Sequence, residues 1–153
     1  MMYDEKTIRW LTTLLKEVSQ LPGDRGVSML EKCGKDCSCA MGTAEKAKEI
    51  RGNATDPEDI DSLLELFKKE MFTESPLYRE GDDIHLIYTH KECECPLVSK
   101  GKISDPFSCN CTRGHTKAIF EALLGGPVEV VLEESILRGH PRCKQTIRLK
   151  RDY

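Results

Sequence analysis

The apolar residues of this chain change their spacing near residue 76, and that change limits the fold more than any other feature of the sequence. Before it they recur every three to four positions, the period of a helix with one buried face. Ile8, Leu11, Leu14, Leu15 and Val18 mark a helix from Glu5 to Gln20, closed by Leu21-Pro22-Gly23-Asp24. A shorter helix is expected from Val27 to Cys33, stopping near Gly34, and another from about Cys37 to Arg51. Asp56-Pro57-Glu58-Asp59 reads as a helix start, an N-cap acid followed by proline at the first helical position. Ile60, Leu63, Leu64, Phe67 and Met71 supply its apolar stripe, and Ser75-Pro76 ends it.

After residue 76 the pattern alternates. Leu77 to Glu80 and Ile84 to His90 flank Gly81-Asp82, a hairpin signal, and Cys93 to Val98 is read as a further strand. Ser99 to Phe107 is expected to be a loop, and Thr112 to Leu124 a helix closed by Gly125-Gly126-Pro127. Val128 to Leu137 and Cys143 to Lys150 form the closing pair of strands. The expected fold is α+β: N-terminal helices packed on an antiparallel sheet of four to five strands, with one helix inserted before the C-terminal hairpin. At 153 residues this is one domain, with a helical part over 1–75 and a sheet-containing part over 76–153.

A net charge of -3 argues against a general binder of nucleic acid or anionic membranes, which needs a strong positive field. The start Met1-Met2-Tyr3-Asp4-Glu5 lacks the basic and apolar regions of a signal peptide, and no run is long enough to span a membrane. The expected location is the cytoplasm, where thiols stay reduced. Oligomeric state is not fixed by the sequence.

That expectation gives the eight cysteines their meaning. Six fall in Cys-X-Cys pairs, Cys37/Cys39, Cys93/Cys95 and Cys109/Cys111, with Cys33 and Cys143 alone. In a reducing compartment such spacing points to metal binding or thiol chemistry rather than disulfides, beside the plainer reading of cysteine as a small buried hydrophobe. Cys93, Cys95, Cys109 and Cys111 flank one loop and are the first-choice ligands of a tetrahedral site; Cys143, Cys33 and Cys37 rank second. Zinc is the simplest metal for four thiolates, and an iron–sulfur cluster takes the same donors. Cys109 and Cys111 lie near a helix N-terminus, which favours thiolate. His115 and His90 are close enough in sequence to serve as further ligands or bases.

Alternation also selects pocket candidates. Tyr88 shares a strand face with Ile84 and Leu86. Gln145 shares one with Cys143 and Ile147, where an inward amide needs partners or a wet cavity. Glu134 follows Val130 and Leu132 inward unless the strand bulges. Lys144, Arg148, Lys150 and Arg151 make a basic stripe on the other face of the final strand, read as a solvated or protected edge.

The segments Cys33-Gly34-Lys35-Asp36-Cys37, Cys93-Glu94-Cys95-Pro96-Leu97-Val98, Phe107 to Gly114 and Gly126 through Gly139 to Cys143 resemble a bacterial and archaeal family of uncharacterised cysteine-rich domains. The resemblance runs from about Cys33 to the end of the chain. The closing hairpin, with Glu133 or Glu134, Gly139 and Cys143, is also similar to the vinyl-reductase-type ligand-binding domain and to the amino-thiazoline carboxylate hydrolases. The first similarity implies zinc beside a small-molecule pocket. Ser135 and Ile136 stand where it would place a further cysteine, so Cys93 to Cys111 would have to supply the missing sulfurs. His140-Pro141 replaces the acidic turn residue usual in such hairpins. Together these readings lead to a metal- and small-molecule-binding domain. The alternative is a thiol- or metal-dependent hydrolase of a small cyclic amidine or amide, with Cys109 or Cys111 as nucleophile and His115 or His90 as base.

Overall fold

The computed structural model describes residues 3–89, 91–93, 95–100 and 102–150. His90, Glu94 and Arg151 therefore lie outside the described residues, and with them the proposed roles of His90 as base or ligand. The fold is the expected α+β arrangement, with four helices before the first strand pair and a long helix before the last.

Helix α1, Glu5–Ser19, starts on Asp4, whose carboxylate accepts the Thr7 N–H at 2.7 Å. The next element departs from expectation: α2 runs unbroken over Arg25–Met41, straight through Gly34. Glycine in a helix interior normally weakens it, so the sequence alone suggests a stop there. The structure supplies a different reason for the glycine. Gly34 faces helix α6 (Cys109–Leu124), where an added Cβ would run into the Cys111 carbonyl oxygen. Gly114 of α6 meets the Glu31 carbonyl of α2 in the same way. The two helices touch backbone to backbone. The real break falls at Gly42, in a left-handed conformation with φ of 74°, and α3 follows over Thr43–Asn53.

Helix α4, Ile60–Met71, begins later than expected. Asp59 is its N-cap, bonding the Ser62 N–H and hydroxyl, while Asp56 takes the Glu58 N–H in the turn before it. Strands β1 (Leu77–Glu80) and β2 (Asp83–Tyr88) form the expected hairpin. The strand expected over Cys93 to Val98 is absent; Pro96–Ser99 is instead a single helical turn, α5, with Cys95 at its N-cap. Proline has no N–H for a ladder and its fixed φ suits a first helical position. Helix α6 begins three residues earlier than expected, which places Cys109 and Cys111 in its first turn. Strand β3 (Val128–Glu134) stops short of the expected Leu137 because Ile136–Arg138 form a 3₁₀ turn. Strand β4 is Cys143–Leu149.

The four strands are antiparallel in the order β1-β2-β4-β3. Alternate residues Leu77, Ile84, Leu86, Val128, Val130 and Ile147 face a core completed by Ala47, Ile50, Leu63, Phe67, Phe120 and Leu123. Strand β4 is interior, so the edge expected for the stripe of Lys144, Arg148 and Lys150 is corrected. Arg148 there pairs with Asp83 at 3.0 Å.

The crossing of α2 and α6 yields a test. In an ordinary helix interior, glycine to alanine adds roughly 1 kcal/mol of stability. Here Gly34→Ala must push the helix backbones apart, and a loss of about 1–3 kcal/mol is expected from overpacking. Urea unfolding of the variant decides between the two signs, and a gain would mean that the helices do not meet as described.

Candidate functional site

Where the N-terminal half of α6 passes the ends of β3 and β4, the layers do not close, and a cavity of about 290 Å³ remains. Its walls combine apolar side chains with thiols. Phe72, Tyr88, Leu132 and Ile136 supply the first; Cys93, Cys95, Cys109, Cys111, Cys143 and Cys37 supply the second. His115, Glu134 and Gln145 also line it. The residues that strand alternation selected, Tyr88, Glu134 and Gln145, thus meet the first-choice cysteines at one place. Cys33 does not line the cavity, although its thiol is felt by Cys111, and Cys39 is exposed.

The sulfurs fall into two groups. Cys93 is influenced by Cys95, Cys143 and Cys109, and Cys109 by Cys143 and Cys95. Cys111 is influenced by Cys95 but also by Cys37 and Cys33 across the helix crossing. All eight cysteines are free thiols. Among the described residues, no three His, Cys, Asp or Glu side chains converge closely enough to hold one ion as they stand.

Two further contacts organise the first group. Ser135, 3% exposed, places its hydroxyl 3.2 Å from the Cys109 sulfur. The Ile136 N–H donates to the Cys143 sulfur at 3.5 Å. The turn that carries both is closed by His140, whose Nδ1 accepts the Ser135 N–H at 3.1 Å. Sequence reasoning marks Ser135 and Ile136 as positions lacking a cysteine, within a strand expected to reach Leu137; their role as partners of sulfur depends on a turn conformation that no local pattern announces. Phe72 and Met41 were also missed, Met41 lying at helical spacing beyond Cys37 with the two sulfurs 3.7 Å apart.

The electrostatics correct one expectation. Burial pushes the Cys109 thiol up, against the lowering influence of Ser135 and of Arg138, and it raises Cys93 as well. Burial pushes Cys111 up to about 12. Thiolate at the start of α6 is therefore disfavoured, because loss of solvent outweighs the helix end. Burial lowers His115, which is neutral at pH 7, and its Nε2 lies 3.2 Å from the Thr43 hydroxyl. Glu134 sits where β3 bulges between Leu132 and Glu134. Its carboxyl is held below the usual range by Arg142, which donates to it at 2.9 Å.

The fold and the cavity define an α+β domain with a thiol-lined cleft. The chain belongs to a family of unknown function (DUF6144), which matches residues 3–153. No curated protein matches it. Solved structures share its fold, two of them as follows. Trafficking protein particle complex subunit 3 from Naegleria fowleri, covalently bound to palmitic acid, is 13% identical with a TM-score of 0.51, over 97% of this chain and 98% of that one. The phenol-responsive sensory domain of the transcription activator PoxR, solved with phenol, is 15% identical with a TM-score of 0.54, over 97% of this chain and 76% of that one. Among the described residues no helix is long and apolar enough to cross a membrane.

Raised thiol pKa values make stability depend on pH in a stated direction. The folded chain holds these protons to higher pH than the unfolded chain, so their contribution is complete below the ordinary thiol value of about 8.5. It is lost as the pH rises from there towards about 12. Urea unfolding at several pH values should show a decline above about pH 9 that is shallower in Cys111→Ala. A decline of equal steepness in the variant would contradict the placement of Cys111.

Proposed function

We propose that this protein binds a small, mostly apolar molecule in the cavity between α6 and the ends of β3 and β4, and that the neighbouring thiols take zinc. The ligand reading is carried by the character of the walls. Aromatic and aliphatic side chains and neutral thiols enclose a volume of about 290 Å³, close to the lower end of ligand sites. The structural neighbours support a ligand-binding reading, since one was solved with phenol and the other with palmitic acid.

Zinc has a narrower basis. Cys93 feels Cys95, Cys143 and Cys109, Cys109 feels Cys143 and Cys95, and the sulfurs of Cys109 and Cys143 already have polar partners in Ser135 and the Ile136 N–H. Such contacts orient metal-bound thiolates in general. The sulfurs gather without closing on one point, so the zinc reading includes a turning of these side chains, with Cys111 as a neighbour of the set. Zinc bound there would displace the thiol protons and fasten the segment around α5 to the sheet. The same four donors suit an iron–sulfur cluster, and visible absorbance of anaerobically purified protein separates the two.

The hydrolase reading draws less support. Cys111 and His115 lie one helical turn apart, but the thiol is neutral and the Nε2 of His115 is engaged with Thr43. An activated cysteine needs a lowered pKa or a base in contact with it.

A thermal-shift screen of small phenols, short fatty acids and cyclic amides tests the ligand. A true ligand at about a hundredfold its Kd should raise Tm by roughly 5–10 °C and slow alkylation of Cys109 and Cys111. If no member does either, the small-molecule reading falls. Elemental analysis tests the metal: zinc is expected in the native chain, lost in Cys109→Ser and Cys143→Ser and kept in Cys39→Ser. Equal content in all of these would remove the cluster from the account.

A further inference from the structure

The buried amide of Gln145 narrows the chemistry of the occupant. Gln145 stands in the middle of β4, paired with Leu86 of β2 and Leu132 of β3, and is 1% exposed. Its neighbour on the same strand face, Ile147, is fully buried in the core. Packing alone would place an apolar side chain at such a position. The structure instead holds an amide that lines the cavity, and its Oε1 has no hydrogen-bond partner among the described residues. A buried acceptor without a partner is costly and uncommon, and a ligand's donor would satisfy it.

The rest of the wall says what that ligand is not. Glu92 and Glu134 are the acids of the lining, and no Lys or Arg belongs to it among the described residues. An anion would meet two carboxylates, one of them already paired with Arg142, and no lysine or arginine of the lining among the described residues. Glu134 is already paired with Arg142, which leaves little call for a cationic ligand at that rim. The neutral surroundings of Gln145, among them Leu132, Tyr88 and Phe72, suit a hydrocarbon frame.

Resting on the ligand-binding reading above, we infer that the occupant is a compact, uncharged, largely hydrocarbon molecule bearing one hydroxyl, which donates its hydrogen bond to Oε1 of Gln145. Gln145 is then a specificity-determining residue: it selects for the donor, while the apolar wall supplies most of the affinity. Oε1 is itself buried, so the ligand's hydroxyl reaches it through a turn of the amide toward the cavity.

The experiment uses 4-ethylphenol, 4-ethylanisole and ethylbenzene, which share a frame and differ in donor and acceptor, titrated by calorimetry into the full chain and into Gln145→Met. The native chain should bind the phenol about tenfold or more tighter than the ether. Gln145→Met should bind all three within about threefold of one another, and without ligand it should melt no lower than the native chain, since it removes an unpaired acceptor. Equal binding of phenol and ether by the native chain overturns the inference and leaves the cavity reading intact. Preference for the phenol surviving in Gln145→Met also overturns it, as does a variant that melts lower or fails to fold, because the amide would then serve the structure. Failure of all three probes to bind the native chain sinks the cavity reading, and this inference with it.

Discussion

Helices α2 and α6 can touch only because each presents a glycine to the other's backbone, Gly34 beneath Cys111 and Gly114 beneath Glu31. The helical wall of the site follows from that contact. It fixes the first turns of α6 against α2 and so sets where Cys109, Cys111 and His115 point relative to the sheet. It also brings Cys37 and Met41, near the C-terminal end of α2, to the same cavity. A larger residue at either glycine would widen the gap between the helices and change the shape of the site from a distance. The core built from Phe67, Phe120, Leu123 and the sheet holds the other end of α6, leaving its first turns to frame the opening.

Burial then decides the chemistry of the thiols. A cysteine at a helix N-terminus is ordinarily a candidate thiolate, and the cavity reverses this by removing water from Cys109 and Cys111. Neutral sulfur behaves as a polarizable apolar surface, well suited to lie beside aromatic and aliphatic ligands. The same sulfurs become metal donors only by giving up protons. Ligand and zinc therefore place different demands on one set of side chains, and occupancy of either should depend on pH through the thiols of this wall.

Much of this was legible in the sequence where geometry follows strictly from period. Alternation put Tyr88 beside Leu86 and Gln145 beside Ile147, and the structure places both on the cavity. The hairpin at Gly81-Asp82 and the α+β order were legible for the same reason. What failed was local reading of residues whose role is tertiary. Gly34 looks like a helix end because glycine is a poor helix former, but the close approach of α6 is invisible along one dimension. The Cys93 to Val98 stretch reads as a strand by continuing the alternation before it, where Pro96 instead opens a helical turn. Ser135 is a small polar residue like many others until the turn closed by His140 sets it against Cys109.

The central claim is that residues from the sheet and from α6 enclose one cavity that takes a small neutral molecule. Nuclear magnetic resonance of the side-chain amide of Gln145 and the methyl groups of Leu132 and Ile136, followed while 4-ethylphenol is added, addresses it most directly. The account predicts saturable shifts at these three residues together, with the two methyl groups of Val131, on the opposite face of β3, left in place. Shifts confined to surface residues, or none at the three, would contradict it.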